Sequence, residues 1–298
     1  MVRSAVSAAV LVAIGGAPAL AQATGGGRLV VLESTASVRS MGMHGAGVAL
    51  LGNAGSVFIN PAGLAIIRHI AVEGAYQPKP SGGYLTTAAG ALRLRQFDLG
   101  FGVRFFGAGD DPATGMPADA SELLTVGSLV YRFGLIALGV SGKHVTEKVA
   151  GVRQRGVSGD VGLAIAVFDI MALAFSMQNI GGNWNSESTV EMPRLTRSGF
   201  TMNYVDPQGT FRLMSTIELQ WPEGSGHRAI FGGEAGVVLG GVGVVGRVAH
   251  RSRPEGSDEP AVTYGATFEL TKINFDFAYE PNDLDEEASY RLGLRIAF

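Results

Sequence analysis

The chain ends in Tyr290-Arg291-Leu292-Gly293-Leu294-Arg295-Ile296-Ala297-Phe298, and this stretch decides the fold. In an extended chain successive side chains point to opposite faces. Tyr290, Leu292, Leu294, Ile296 and Phe298 then share a wholly apolar face, and Arg291, Gly293, Arg295 and Ala297 share a small or charged one. Such a strand meets two different solvents. The run before it repeats the pattern, with Ile273, Phe275, Phe277 and Tyr279 against Asn274, Asp276, Ala278 and Glu280, and the polar Pro281 to Glu287 loop joins the two as a hairpin. Phe97 to Phe105 and Phe211 to Gln220 alternate in the same way.

On this period the chain reads as about fourteen strands, centred near Val72, Thr87, Phe101, Leu129, Leu138, Leu163, Leu173, Met202, Leu213, Gly232, Val244, Ala266, Phe275 and Leu294. Tight links are expected after every second strand: Arg95-Gln96, Phe133-Gly134, Phe168-Asp169, Asp206 to Gly209, Gly240-Gly241 and Thr271-Lys272. The other connections read as longer and polar, among them Gly107 to Ser121, His144 to Gly156, Asn179 to Arg194 and Arg251 to Pro260. Short turns at one end and long loops at the other mark a bacterial transmembrane barrel, whose strands need about nine to eleven residues each. The expected fold is therefore all-β, a closed antiparallel barrel, because an open edge in hydrocarbon leaves backbone groups unpaired at several kcal/mol each. A soluble sandwich alternates too, but it seldom lines the face opposite its core with glycine and alanine. Tyr131, Phe133, Tyr204, Trp221, Tyr264, Tyr279 and Phe298 fall near strand ends, where an interfacial aromatic girdle belongs.

Composition agrees. Charged residues are 16% of the 298, against roughly 25% in soluble domains, and glycine numbers 44. A net charge of −3 offers no cationic surface for nucleic acid. The absence of cysteine excludes a disulfide framework and thiolate chemistry. At the N-terminus Arg3, the apolar Ala5 to Ile14 and Ala19-Leu20-Ala21 form a secretory signal pattern, so residues 1–21 are expected to be removed and the mature chain to begin at Gln22. Gly15, Gly16 and Pro18 interrupt this stretch before the twenty or so residues of a membrane helix. No later segment reads as a membrane helix: Val161 to Phe175 is short and contains Asp169, and Gly236 to Gly246 is crowded with glycine.

Residues 22–68 do not alternate, and residues 69–298 hold the expected strands. The shorter region contains Arg39-Ser40-Met41-Gly42-Met43-His44-Gly45-Ala46-Gly47-Val48-Ala49 and, after Asn53, Asn60-Pro61-Ala62-Gly63-Leu64-Ala65. Gly42, Gly45 and Gly47 are not spaced as a phosphate loop, and no βαβ unit surrounds them. Carried by Arg39, Gly42, Met43, Gly45, Ala46, Ala49 and Asn60 to Leu64, this region resembles the PorV/PorQ-type outer-membrane proteins, relatives of the FadL-like long-chain fatty-acid transporters. The closing hairpin, Phe275 to Tyr279 and Tyr290 to Leu292, is similar as well. Departures are His44 where glycine is usual, Gly52-Asn53 in place of an acidic pair, and Ile59 where an aromatic is common.

The resemblance implies a fourteen-strand barrel in the outer membrane of a Gram-negative-type bacterium, with residues 22–68 folded inward as a hatch that includes Arg39, Gly42, Gly45, Asn60, Pro61, Ala62 and Gly63. It implies either passive transport of hydrophobic small molecules or, alternatively, a secretion-associated barrel that binds a protein partner or cargo without forming an open path. Phe298 resembles the aromatic terminus that the outer-membrane assembly machinery reads. The expected partners are thus membrane lipid, a hydrophobic ligand, a secretion-system protein and that machinery.

No enzyme chemistry is legible. His44, His69, His144, His227 and His250 are dispersed, and neither H-E-x-x-H nor G-x-S-x-G occurs. A serine near His144 or His250 is the weakest of pairs, by chance adjacency alone. Asp110, Asp111 and Asp119, and Asp283, Asp285, Glu286 and Glu287, read as solvated loop acids rather than a calcium site, since the D-x-D-x-D-G order is absent. No metal site or cofactor is expected. The strand pattern points Asp98, Arg104, Arg132, Glu218, Glu234, Arg247, Asp276, Arg291 and Arg295 into the lumen, and their mixed sign suits a packed, salt-bridged interior around a plug rather than an ion-selective pore.

Overall fold

A computed structural model describes residues 29–298 except 80–81, 112–113, 117, 168–169, 183–189, 191, 207–208, 253–260 and 282–287. The expected signal segment and the acids Asp283, Asp285, Glu286 and Glu287 lie outside the described residues. Fourteen strands form one closed antiparallel barrel. They are β1 (Ile70–Pro78), β2 (Tyr84–Leu94), β3 (Phe97–Gly107), β4 (Ala120–Phe133), β5 (Ile136–Val149), β6 (Val152–Val167) and β7 (Met171–Ile180). The second half is β8 (Leu195–Val205), β9 (Phe211–Pro222), β10 (Arg228–Leu239), β11 (Val242–Arg251), β12 (Val262–Leu270), β13 (Ile273–Glu280) and β14 (Ser289–Ala297). Every strand pairs with its sequence neighbours, and β1 closes on β14 from Ala71 opposite Ala297 to Tyr76 opposite Leu292. The wall therefore leaves no edge unpaired.

Burial is inverted relative to a soluble protein. Outward Phe101 is 58% exposed and Val244 60%, while inward Arg104, Glu218 and Arg291 are at most 2% exposed. A belt of exposed apolar side chains around a charged, buried interior is stable only when lipid covers the belt. No helix among the described residues is long and apolar enough to cross a membrane.

The short turns and both chain ends of the barrel share one rim, where His69 N–H donates to the Phe298 carbonyl at 3.0 Å. One expected loop is not a loop. His144 to Gly156 belongs to β5 and β6, whose ladder runs on to Val149 opposite Val152 around a two-residue turn, Ala150-Gly151. Both turn residues have positive φ, 47° and 78°, the backbone of the tight hairpin turn that twists with its strands. Alanine seldom adopts that conformation, which hid the turn from a reading that looks for Asn-Gly or Gly-Gly.

Inside the barrel runs the segment from Leu29 to Ile67. It folds as two one-turn helices, α1 (Val30–Glu33) and α2 (Val38–Met41), and two 3-10 turns, Ala54–Phe58 and Pro61–Ile66. α2 lies against β12, β13 and β14, and the Pro61–Ile66 turn against β4, β5 and β6. Val31, Met43, Val48, Val57, Ala62 and Leu64 are completely buried, so this segment is the core that fills the barrel.

Candidate functional site: a barrel lumen filled by its own N-terminal segment

Short helices and turns leave many backbone groups without an internal partner. The barrel wall supplies those partners with its charged side chains. Near the loop rim, Arg104 donates to the carbonyls of Val31 (2.6 Å), Ser34 (2.7 Å) and Thr35 (3.1 Å), Arg291 donates to Thr35, and the Glu122 carboxylate accepts the Val31 N–H at 2.9 Å. On β9, Glu218 accepts the N–H groups of Gly47 (2.7 Å) and Val48 (2.8 Å), while Arg197 bridges Glu218 and the Gly45 carbonyl. Ser176 and Gln178 on β7 donate to the carbonyls of Ile59 and Phe58.

Toward the short-turn rim the arrangement is ionic. Arg39 makes a bidentate pair with Glu234, both bonds 2.7 Å, beside Arg247 at 3.2 Å. Arg247 also approaches Asp276, which pairs with Arg295, and Arg295 donates to Asn53 at 3.0 Å. Asn53 stands where an acidic residue was the family expectation, and its amide oxygen takes the arginine instead. Glu73 accepts the Gly55 N–H at 3.0 Å. Asp98 lies away from this chain of charges, between Arg93 and Arg132, and Arg93 reaches the Ala65 carbonyl. Arg104, Glu218, Glu234, Arg291 and Arg295 thus hydrogen-bond the segment directly, Arg247 packs against Gly42, Asp98 and Arg132 act through Arg93, and Asp276 through its ion pairs. Glu122, Gln178, Arg197 and Glu73 do the same work and were not singled out from sequence, although each occupies an inward position of its strand.

Glycine is the second half of the fit. A Cβ at Gly100 would strike Leu64 and Val57, at Gly139 the Pro61-Ala62 peptide at 2.6–2.8 Å, and at Gly199, Gly232 and Gly293 the side chains of Val48, Met43 and Val38 at 2.6 Å. These inward glycines are seats for the segment, which accounts for the small residues opposite the apolar face. Outward Gly90, Gly127 and Gly142 have nothing within 4 Å. Within the segment Asn60 is fully buried; its side chain accepts the Ala62 N–H at 3.1 Å and donates to the Val48 carbonyl at 2.9 Å, tying the second half of the motif to the first. Gly42 packs on Arg247, Gly63 on Ser56, and Gly45 has φ 85°. His44 has φ 54°, a backbone that explains why glycine is usual at this place.

Above the segment, toward the loops, lies a vestibule of about 450 Å³ floored by Thr35, Ser40 and Ile59. Lys79, Arg104 and Arg291 gather on its wall, and Arg104 Nε has no hydrogen-bond partner. Burial and the two guanidiniums push the Lys79 ammonium down to about 8. Below, a second cavity of about 450 Å³ is lined by Arg39, Asn203, Met214 and Glu234. Between them Ser40, Ile59 and Arg39 surround a void of only about 10 Å³, room for a single water.

The remaining sequence candidates are apart from this site. His144 and His250 project outward from β5 and β11. Lys148 engages Asp119, and the Thr114 hydroxyl engages Asp111. Among the described residues no group of three or more His, Asp or Glu could hold a metal ion.

No family model matches the sequence, and no curated protein matches it. Solved structures do. The toluene transporter TbuX of Ralstonia pickettii superposes with a TM-score of 0.60 at 12% identity, over 88% of this chain and 98% of that one. In fold, the chain is similar to the FadL-type barrels. A Pseudomonas aeruginosa FadL homologue gives 0.56 at 11% identity (89% and 98% covered), and the Pseudomonas putida toluene transporter TodX gives 0.55 at 11% (87% and 96%). The likeness extends over nearly the whole of each of these neighbours.

Proposed function

We propose that the protein is a passive outer-membrane channel for hydrophobic small molecules, with residues 29–67 as its hatch. The observation that carries this reading is the pair of cavities, one toward each end of the barrel, with residues of the segment lining the small void between them. Short turns and chain ends would face the periplasm and the longer connections the exterior. The fold shared with hydrocarbon transporters supports it. The segment is held by side-chain clamps and glycine seats rather than by strand pairing, so it can shift while the barrel ladder stays intact. In the vestibule, Lys79, Arg291 and Arg104 with its unpartnered Nε would receive the anionic head of an otherwise hydrophobic ligand. Export through a cleaved signal and assembly through Phe298 belong to the same reading. No step of it needs catalysis. The secretion-associated alternative draws no support from the structural likenesses.

The test is uptake of a fluorescent long-chain fatty acid by liposomes holding the refolded protein, intact and as Asn60→Ala with Pro61→Ala. Uptake above that of empty liposomes, altered by the two substitutions, is expected. A folded barrel, shown by heat-modifiable gel mobility, that gives no uptake would reject the proposal.

A further inference from the structure

At its loop-side end the hatch is gripped through one residue, Val31. The Val31 N–H donates to Glu122 at 2.9 Å and the Val31 carbonyl accepts from Arg104 at 2.6 Å, so α1 lies between a carboxylate and a guanidinium. Glu122 on β4 stands directly opposite Glu147 on β5. Both face the lumen, Glu122 in step with buried Leu124 and Val126 and Glu147 in step with buried Lys143 and Val145. Opposite residues of an antiparallel pair have Cβ atoms about 5 Å apart, and like charges placed so destabilise each other. Glu122 is eleven residues above Phe133 and Glu147 eleven above Ile136, the short-turn ends of their strands. At about 3.3 Å per residue and a tilt near 40° that is about 28 Å, past the roughly 25 Å apolar band of such barrels.

The groups around this carboxyl pair set its charge. On β3, Phe106 is opposite Glu122 and Arg104 lies two residues along; on β6, Gln154 is opposite Glu147. α1 brings Glu33, while Lys148, Arg153 and Arg155 project from the other face of the sheet. Burial comes first and lifts the Glu122 carboxyl above its ordinary 4.5, against the pull of the Val31 and Val30 N–H groups and of Arg104; Glu147 adds to the lift. Burial moves Glu147 in the same direction. Displacing the hatch lets water reach both carboxyls and returns them toward the ordinary value. Protons therefore bind the seated hatch more tightly than the displaced one. By linkage the seat strengthens as pH falls through the raised value and gains no more below about 4.5.

We propose that Glu122 and Glu147 form a proton-operated latch that tightens the hatch at Val31 when the medium on the loop side turns mildly acidic. This rests on the reading of residues 29–67 as a displaceable hatch. The two carboxyls take up the proton as a pair, and the neutral pair still offers an oxygen to the Val31 N–H.

Hydrogen-deuterium exchange of the full refolded barrel in a non-ionic detergent, read by mass spectrometry on peptides covering residues 29–41 and corrected for the intrinsic pH dependence of exchange, compares pH 7.5 with pH 5.0. The parent is expected to be at least about threefold better protected at pH 5.0. Glu122→Gln keeps an oxygen for the Val31 N–H without the charge, so it should show the acid level of protection at both pH values while keeping heat-modifiable mobility. Glu147→Gln should narrow the gap. Equal protection of the parent at the two pH values, or weaker protection at pH 5.0, overturns the proposal without need of any variant. So does a pH response that survives in Glu122→Gln, which would belong to another group, His44 of the hatch first among them; an unchanged gap in Glu147→Gln overturns the pairing. Fatty-acid uptake at pH 7.5 tests the transport reading separately, since exchange in residues 29–41 is read whether or not a ligand passes.

Discussion

Gly139→Ala adds one methyl group where β5 meets the Pro61-Ala62 peptide. Its Cβ would stand 2.6 Å from Ala62 N, 2.8 Å from Pro61 C and 2.9 Å from Pro61 Cβ. Those atoms are backbone and a rigid ring, so no rotamer change can relieve the contact, and the peptide must withdraw to about 3.4 Å. Overpacking of this kind costs about 1–3 kcal/mol. Withdrawal also stretches the Ala62 N–H bond to Asn60 Oδ1, a turn cap worth about 1 kcal/mol. Together these destabilise the seated hatch by about 2–4 kcal/mol, which raises the population of a displaced hatch about thirty- to a thousandfold. The barrel ladder is untouched, because Gly139 remains in extended backbone opposite Gly162. Single-channel conductance in planar bilayers reads the displaced state as transient openings, and limited proteolysis reads it as cleavage between residues 29 and 67. Gly142→Ala, three residues along the same strand and facing outward with nothing within 4 Å, should match the parent in both assays. If Gly139→Ala is as silent as Gly142→Ala, the inward glycines are not seats and the reasoning fails.

Three further residues give testable outcomes. Arg39→Ala leaves Glu234 buried with Arg247 as its main counter-ion, a loss of about 3–5 kcal/mol when one member of a buried pair is removed, and should raise ion leak through the lumen in the conductance assay. Lys79 is protonated at pH 7 and neutral above about 8, so retention of an anionic hydrophobic ligand measured by equilibrium dialysis should fall between pH 7 and 9; Lys79→Gln should lack that step. Because its folded value lies below the ordinary 10.5, the same group adds stability to the folded state as pH rises from about 8 toward 10.5, an increase in chemical-denaturation midpoint that Lys79→Gln should not show. Phe298→Ala should leave refolding into detergent unchanged and slow assembly by isolated outer-membrane machinery; equal assembly rates would remove the terminal aromatic from that role.

Much of this molecule is legible in its sequence because a membrane barrel writes a period of two twice over, once for lipid and once for lumen. The centres near Phe101, Leu138, Phe275 and Leu294 sit in β3, β5, β13 and β14, since each residue type there satisfies both faces at once. The β5–β6 turn was missed because a polar, charged stretch, Glu147, Lys148, Arg153 and Arg155, looks like a loop to a reading that equates polarity with connection; above the membrane a strand has no need of apolar faces. The lumen charges were legible by parity. What they hold was not, because the partners of Glu218 and Arg104 are backbone groups some 70 to 170 residues away, which carry no side-chain signature. Nor does a glycine announce whether it is a seat, like Gly139, or bare wall, like Gly142, until the segment is in place.

The claim that passage requires the hatch to move is most directly tested by fastening it. The chain has no cysteine, and a Cβ at Gly293 lies 3.5 Å from Val38 Cβ, within the span of a disulfide. In liposomes holding Val38→Cys with Gly293→Cys, fatty-acid uptake should be lost on oxidation and return on reduction. Undiminished uptake by the fully oxidised protein would contradict the account, since the ligand would then cross without disturbing residues 29–67.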